Sequence, residues 1–544
     1  MSLTARFPFP RRMVEARRKV EECCARLVLV LVCLTGAVPA AAGFVAASFA
    51  AASFAPLALS AQQPAPAAKP ETHITQEQAQ QLFHSVDDLI RFASLETGLP
   101  VKSQVKRTLT TRAAVEKYLT DKFNDDQDAK RMQRGEIVLK KFGMLDRDFQ
   151  LKPFLLALLK EQIAGYYDAK TKTVYMLDWI DPESQKPVLV HELTHALQDQ
   201  HVDLDKWSNQ TPPDVSHNVT EDNDHLAKDE MDTARTAVLE GQAMAVFVDY
   251  SLKPTGRSLI KDPELVERLE EQMSSTADSP VLARAPLLLS ESLLFPYKEG
   301  LSFEQDVWMD KGREAAFAGA LDRPPSSSWE VMNPRMYEQK MQAPIPAMPD
   351  IHPLVDARYR PYDIGQIGQL DLRILAELYG GPAAARRLTS AWDGGIYWAG
   401  QLKSAHSAAE QASTASIALL YLSAWKNPAS ARVFAAMYAN ELGEKYSGVK
   451  AVAGTGGSAG DDQVYSTSEG PVLIRVRDRY VFVAESFDVE TARKLGDLMI
   501  DAQGTGELQT ASSVASHREQ VEDLSSSWIR FVGSCGVMKA ALGR

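Results

Sequence analysis

Two histidines four residues apart constrain this 544-residue chain more than any other feature, because His191-Glu192-Leu193-Thr194-His195 reads HExxH. On a helix, residues four apart lie on one face, so both imidazoles can reach one metal ion. Glu192 follows the first histidine directly, so its carboxylate can reach a water molecule beside that ion. Neutral imidazole makes zinc the expected metal. The alternative is two ordinary histidines on a helix.

The residues around the motif favour a helix. Ser184 is a possible N-cap, and Pro187 is tolerated in a first turn. Apolar contacts would come from Val188, Leu189 and Leu193. We therefore predict that the motif lies on a helix that begins shortly before it.

A zinc site needs a third protein ligand, and Glu240 is the best candidate. Residues 225–253 predict one helix, and the positions three or four residues from Glu240 are mostly small: Thr233, Thr236, Ala237, Ala243 and Met244. Such a face allows close approach to the motif helix. A carboxylate there is costly unless it is paired or binds a metal. The competing ligands are His201, His217, His225, Asp229, Glu230 and Asp232.

Two β-prone segments precede the motif. Residues 165–168 and 173–178 flank a polar turn and predict a hairpin or a pair of short strands. In zinc peptidases an edge strand before the metal helix commonly holds extended peptide through backbone hydrogen bonds. The alternative is an ordinary hairpin whose tyrosines pack into the core.

These segments together resemble gluzincin-type zinc metallopeptidases, in which HExxH supplies two histidines and a following helix supplies a glutamate. More narrowly, the chain resembles a group of exported bacterial proteins over roughly residues 100–340. The matching segments are Glu161–Asp168, His191–Gln200, Leu239–Gly241, Phe295–Tyr297 with Gly300, and Pro324–Ser327 with Pro334 and Tyr337. The resemblance implies a zincin-like metallopeptidase core.

The chain departs from the pattern at two positions. Asn333 stands where the group often has a histidine, and Met244 replaces the aspartate of the ExxxD form of the gluzincin helix. Position 333 is therefore a poor candidate for chemistry.

The expected site is accordingly His191, His195 and Glu240 as zinc ligands, with Glu192 as the general base. Tyr297, and secondarily Tyr337, are candidate donors to the oxyanion. Asp199, one helical turn after His195, is either a residue that orients a ligand or a surface carboxylate at the helix end.

The first 61 residues predict a targeting segment, since a cluster of arginines precedes an uncharged, Ala-, Val- and Leu-rich run over residues 27–61. We expect a cleaved signal peptide, with an uncleaved membrane anchor as the alternative, and an exported, periplasmic or extracytoplasmic protein. Residues 62–74 predict a disordered linker. Without residues 1–61 the net charge falls from −12 to −16, which argues against a nucleic-acid partner.

Cysteines add little chemistry. Three of the four cysteines lie in the targeting segment, so only Cys535 remains beyond it. One cysteine excludes both an internal disulfide and a cysteine-based zinc site. The basic residues between Lys130 and Lys141 predict a solvated helical face rather than a binding patch.

The whole chain predicts an α+β, mostly helical fold. We expect a helical zincin-like domain over residues 75–342, a proline-rich linker over 343–365, and a C-terminal α+β domain over 366–544. Within the last domain, residues 417–422, 464–467, 472–476 and 480–484 predict strands, and residues 371–379, 428–446 and 489–500 predict helices. The glycine-rich run 454–460 lacks the Lys-Ser/Thr ending of a phosphate loop and predicts a flexible loop.

The expected function is zinc-dependent hydrolysis of a peptide or protein substrate. One rival is a zinc-binding envelope or partner-binding protein without catalysis, and another is hydrolysis of a non-peptide bond. The intact Glu192 argues against the first rival, because a purely structural zinc site needs no base.

Overall fold

The computed structural model of the chain describes residues 73–123, 126–163, 165–207, 218–262, 264–273, 279–452 and 462–504. The predicted targeting segment 1–61, almost all of the predicted linker 62–74, the glycine-rich run 454–460 and Cys535 lie outside these ranges. Within the described part of the chain, no helix is long and apolar enough to cross a membrane.

The fold is α+β and mostly helical, as predicted. The helices before residue 340 are α1 Gln76–Thr97, α2 Arg112–Phe123, α3 Asp126–Phe142, α4 Leu151–Gln162, α5 Pro182–Val202, α6 Leu204–Trp207, α7 Val219–Lys228, α8 Met231–Leu252, α9 Glu264–Met273, α10 Leu287–Lys311, α11 Ala320–Asp322, α12 Ser328–Met332 and α13 Pro334–Glu338. The later helices are α14 His352–Val355, α15 Gln369–Ala391, α16 Ala408–Gln411, α17 Pro428–Lys445 and α18 Val489–Asp501. A π-helical turn, Ala315–Gly319, precedes α11.

The strands form two sheets. They are β1 Lys106–Thr110, β2 Tyr166–Asp168, β3 Thr173–Leu177, β4 Tyr359–Gln366, β5 Trp392–Leu402, β6 Ile417–Trp425, β7 Lys450–Ala451, β8 Gln463–Thr467, β9 Gly470–Arg477 and β10 Tyr480–Glu485. The first sheet has the order β1-β3-β2, with β1 parallel and β2 antiparallel to β3. The second has the order β4-β5-β6-β10-β9-β8-β7, and every neighbouring pair is antiparallel.

The small sheet differs from the sequence prediction in one respect. The hairpin of β2 and β3 is present, but β1 comes from 60 residues upstream and pairs with β3 in parallel. The strand closest in sequence to the motif helix is therefore central, and β2 is an edge strand. β1 was not predicted, because its alternation of exposed and half-buried residues leaves only a weak apolar pattern.

The helix predicted over residues 225–253 was wrong in its boundaries, because the chain breaks between α7 and α8 at Asp229 and Glu230. Helix α10 runs without interruption from Leu287 to Lys311 with Pro296 inside it. Burial of residues on both sides of the proline, such as Leu293 and Leu301, keeps this helix intact.

The predicted C-terminal elements lie where the sequence pattern indicated, and the large sheet has three further strands. The strands at 417–422, 464–467, 472–476 and 480–484 lie within β6, β8, β9 and β10. Strands β4, β5 and β7 were not predicted, and β4 begins at Tyr359, inside the range 343–365 expected to be a linker. Proline and glycine in β4 mask its strand character in the sequence.

The face of α3 that was expected to be solvated is in part buried. Lys141 is fully buried, and its ammonium group donates to Glu469 Oε2 at 2.9 Å and to Ser486 Oγ at 2.8 Å. The side chain therefore ties α3 to the large sheet, which the charge pattern of α3 alone could not reveal.

Candidate metal centre

Helix α5 carries the HExxH motif through the core. Its N-cap is Asp181, whose carboxylate accepts from the backbone N–H of Ser184, so Ser184 lies inside the first turn and is not the cap expected from the sequence. Pro182 occupies the first turn, where no N–H is needed. Gln185 then joins the helix to β3, accepting from Leu177 N and donating to Leu177 O, both at 2.9 Å.

Helix α8 brings Glu240 to the motif while packing tightly on α10. A Cβ at Gly241 would overlap the carbonyl group of Gly300, and a Cβ at Gly300 would overlap the carbonyl oxygen of Ala237. Of the small residues near Glu240, Ala237 lies at the contact with α10, and α8 also packs on α5. That the small face brings α8 close to the motif helix stays a prediction.

Three side-chain donor atoms converge where α5 and α8 meet. His191 Nε2 lies 3.1 Å from His195 Nε2 and 3.2 Å from Glu240 Oε2, and His195 Nε2 lies 3.5 Å from the same oxygen. Both histidines are 0% exposed and Glu240 is 2% exposed. Among the described residues, this is the one group of three or more His, Cys, Asp or Glu whose donor atoms are close enough for a shared metal ion.

The spacing of these donors fits zinc. Around a tetrahedral zinc ion with bonds of about 2.0–2.1 Å, neighbouring ligand atoms lie roughly 3.3 Å apart. The three observed separations, 3.1, 3.2 and 3.5 Å, bracket that value. Two imidazoles and one carboxylate also match the ligand chemistry of catalytic zinc sites.

Glu192 lies beside the triad, and its two carboxylate oxygens have different surroundings. Its Oε2 accepts from the backbone N–H of Tyr167 in β2 at 2.9 Å. Its Oε1 is buried and has no hydrogen-bond partner within the described part of the chain. Burial raises the pKa of Glu192 to about 7, and Glu240 adds to the rise while His195 and the Tyr167 N–H oppose it. A carboxyl group with a pKa near neutrality suits proton transfer.

The protein charges around the triad favour an anionic Glu240. Burial opposes its charged form, but His195 and the hydrogen bonds from both histidines lower its pKa to about 2. Burial also works against a charged His195, yet the carboxylate of Glu240 raises the pKa of this imidazole to about 9. For His191 burial dominates, and its pKa is lowered. The metal-free site therefore pairs an anionic Glu240 with a protonated His195, and a bound cation would take the place of that proton.

The other candidate residues have different surroundings. Asp199 does not touch a ligand, because it accepts from Tyr167 Oη at 2.6 Å and from Lys172 Nζ at 2.8 Å. Tyr337 is buried and donates to Arg323 O at 2.8 Å, so its hydroxyl proton is committed to a main-chain contact. Tyr297 is partly buried on α10, three residues before Gly300 and hence on the side of that helix that meets α8. Its role as an oxyanion donor stays a prediction.

The competing ligands that the structure describes do not join the triad. His201 contacts Asp322 at 2.9 Å, and His225 lies 3.6 Å from Asp229. Asp229, Glu230 and Asp232 lie at the junction of α7 and α8, and His217 lies outside the described residues.

Sequence reasoning missed one residue at the centre. Gln198 Oε1 lies 2.8 Å from His195 Nδ1, on the side of the ring opposite to the triad. Its position three residues after His195 places it on the same helix face, so the spacing was a usable signal. The charged Asp199, the next residue, was predicted instead.

Comparisons with family models, with curated proteins and with solved structures find no match to this chain. Its function must therefore be argued from the site itself.

Proposed function

We propose that this protein is a zinc-dependent peptidase with a zincin-like core, in which His191, His195 and Glu240 hold the metal. The observation that carries the proposal is the convergence of three donor atoms from α5 and α8, all within 3.5 Å of one another, in the protein interior. The gluzincin-like order of the motifs supports the same assignment, and the targeting segment supports an exported, periplasmic protein.

The chemistry of Glu192 follows from its two different oxygens. Oε2 is held by Tyr167 N, so the carboxylate is fixed and Oε1 remains available to accept a proton from an attacking water molecule. The water oxygen bonds to the peptide carbonyl carbon, the C–N bond breaks, and Glu192 returns the proton to the leaving amine. When bound, zinc would polarise the carbonyl group and lower the pKa of the water.

Strand β2 contacts the proposed general base, Glu192. It is an edge of the small sheet, and its Tyr167 N–H binds the general base. A peptide near Glu192 would therefore lie close to an edge strand, as in other strand-binding modes. We accordingly propose a peptide or protein as the substrate class and Tyr297 as the donor to the oxyanion.

One observation favours a second candidate, a zinc-binding envelope protein without catalysis. His191, Glu192 and His195 are each 0% exposed, so a substrate reaches them only if covering elements move. A closed site is typical of structural zinc, although structural sites usually have four protein ligands rather than three.

Zinc content combined with a hydrolysis assay distinguishes the two functions. We expect about one zinc per purified chain by elemental analysis, lost in His195→Ala. Glu192→Gln should keep the zinc but lower the hydrolysis of a peptide library by about 10²–10⁴-fold, because it removes the proton acceptor. If zinc is present and Glu192→Gln hydrolyses peptides as fast as the parent, the general-base role is wrong. If the parent binds zinc but hydrolyses nothing, the non-catalytic function is supported.

A further inference from the structure

Two buried glutamines extend from the metal centre into the protein and form what we call the glutamine relay, Gln198 on α5 and Gln242 on α8. Both are 0% exposed. Gln198 Oε1 faces His195 Nδ1 at 2.8 Å, and Gln198 Nε2 donates to Leu239 O at 3.1 Å and to Gln242 Oε1 at 2.9 Å. Every polar atom of the Gln198 amide is therefore engaged.

The far end of the relay lies in the π-helical turn Ala315–Gly319. Gln242 Nε2 donates to Ala316 O at 2.9 Å and to Phe317 O at 3.0 Å. A π-helical turn is rare and is often found at functional sites. Here its carbonyl groups receive both hydrogens of one buried side-chain amide.

The main-chain carbonyls determine the direction of the whole relay. A carbonyl oxygen can only accept, so the NH2 group of Gln242 must face Ala316 and Phe317, and its oxygen must face Gln198. The NH2 group of Gln198 must then face Gln242 and Leu239, which leaves its oxygen for His195. This assignment rests on the main-chain acceptors and does not depend on distinguishing amide oxygen from nitrogen.

The direction of the two amides determines which nitrogen of His195 carries a hydrogen. Its Nδ1 faces an acceptor, so Nδ1 must carry a hydrogen, whether or not Nε2 is protonated. In the neutral ring, Nε2 then has its lone pair directed at His191 and Glu240.

We propose that Gln198 and Gln242 are positioning residues that select the Nδ1–H tautomer of His195 and thereby present Nε2 to the metal. The π-helical turn is the anchor that gives the relay its direction. This inference rests on the proposed metal site for its role, but the position of the proton on Nδ1 is a property of the protein alone.

The first test therefore needs no metal and no activity. Imidazole ¹⁵N–¹H correlation spectra of the ¹⁵N-histidine-labelled full-length chain should show a slowly exchanging Nδ1–H for His195, assigned by its loss in His195→Asn. The signal should be present both without metal and with one equivalent of zinc. A His195 ring protonated only on Nε2 in the parent overturns the proposal, and this result is independent of whether any variant folds.

Variants then connect the relay with metal affinity, measured by competition with a zinc chelator. Gln198→Leu removes the acceptor, so we expect loss of the Nδ1–H signal and about 10–100-fold weaker zinc binding. Gln198→Glu restores an acceptor and should restore the signal. Gln242→Met should weaken zinc binding less than Gln198→Leu, because Leu239 O still holds Gln198.

Gln185→Met is the matched control. Gln185 is an equally buried glutamine on α5 whose amide binds only main-chain groups of Leu177 and Ile180. This variant should lose stability but keep the His195 signal and the zinc affinity. Equal loss of zinc affinity in Gln185→Met and Gln198→Leu would contradict the proposed positioning role of Gln198. If the parent shows the Nδ1–H signal but binds no zinc, the relay stands and the proposed function fails.

Discussion

At the scale of single residues, the contacts of the buried polar side chains distinguish the metal centre from its surroundings. His191, Glu192 and His195 are fully buried in a helix whose other residues pack as a core, and burial of such groups is costly unless they are paired or bind a cation. The neighbouring carboxylate of Asp199 is also buried, but it accepts from Tyr167 and Lys172. Two buried carboxylates near the motif therefore have different roles: Glu240 faces the histidines, and Asp199 holds β2 and its turn to α5.

This difference predicts the result of a matched pair of substitutions. Glu240→Gln keeps the shape of the side chain but removes its charge, so zinc affinity should fall by more than the roughly 10–100-fold typical of a supporting group. Asp199→Asn should leave zinc affinity within about threefold of the parent, since Asp199 touches no ligand. Chelator competition at pH 7 measures both. Equal losses in the two variants would show that Glu240 is not a direct ligand.

At the scale of elements, the position of Glu240 depends on how closely two helices approach. α8 and α10 cross where Gly241 meets Gly300, and neither position has room for a Cβ atom. Gly241 directly follows the metal-ligand candidate Glu240. The backbone contact therefore sets the position from which the carboxylate reaches α5.

We expect Gly241→Ala to destabilise the protein by about 1–3 kcal/mol, as is typical when atoms are forced into a packed interior. Zinc affinity should fall together with the stability, because separation of α8 from α10 displaces Glu240. Gly443→Ala is the control, since Gly443 lies in α17 with no atom within 4 Å of an added Cβ. That variant should gain up to about 1 kcal/mol from helix propensity. Urea unfolding measures both, and a Gly241→Ala protein as stable as the parent would contradict the close approach.

At the scale of the whole molecule, a buried acidic cluster joins the start of α8 to the large sheet. The Ser328 hydroxyl donates to Glu230 Oε1 at 2.6 Å, and the Gly368 N–H donates to Asp371 Oδ2 at 3.0 Å. A Cβ at Gly368 would overlap the carboxyl group of Glu230, so the turn before α15 presses directly on α8. The start of α8, the helix that carries Glu240, therefore lies at the contact between the helical part and the large sheet.

The cluster makes stability depend on pH. Burial raises the pKa of Glu230 to about 7, with Asp229 and Glu330 adding to the rise and Ser328 opposing it. Burial and the charge of Glu230 raise the pKa of Asp371 as well. Because the folded protein holds these protons more tightly than the unfolded chain, their contribution is complete below about pH 4. It is lost as the pH rises through the folded pKa of about 7.

Glu230→Gln should therefore reduce the loss of unfolding free energy between pH 5 and pH 8. The amide can still accept from Ser328, and the substitution removes the charge that acts on Asp371. We expect the variant to be more stable than the parent at pH 8 by up to about 3 kcal/mol, which corresponds to the rise of the Glu230 pKa from 4.5 to about 7. Urea unfolding at both pH values checks this, with exposed Glu444→Gln as the control. Parallel stability curves for Glu230→Gln and the parent would contradict the prediction.

The amino-acid sequence by itself determined which side chains share a face. The four-residue spacing of His191 and His195 places both rings on one side of a helix, and the small residues around Glu240 indicated a carboxylate inside a tight helix contact. Strands β6, β8, β9 and β10 were also readable, because their runs of β-forming residues are local. These predictions succeeded where the physical cause acts over one or two turns of chain.

Only the tertiary structure decided which polar groups meet after burial. The glutamine relay as a whole could not be read from the sequence, because most glutamines lie on protein surfaces. Its direction is set by carbonyl groups of a π-helical turn that is distant in the chain. The addition of β1 to the small sheet and the break between α7 and α8 likewise depend on segments far away in the chain. The partner that a buried polar group finds depends on residues far away in the chain, whereas the periodicity of a helix or strand depends only on neighbouring residues.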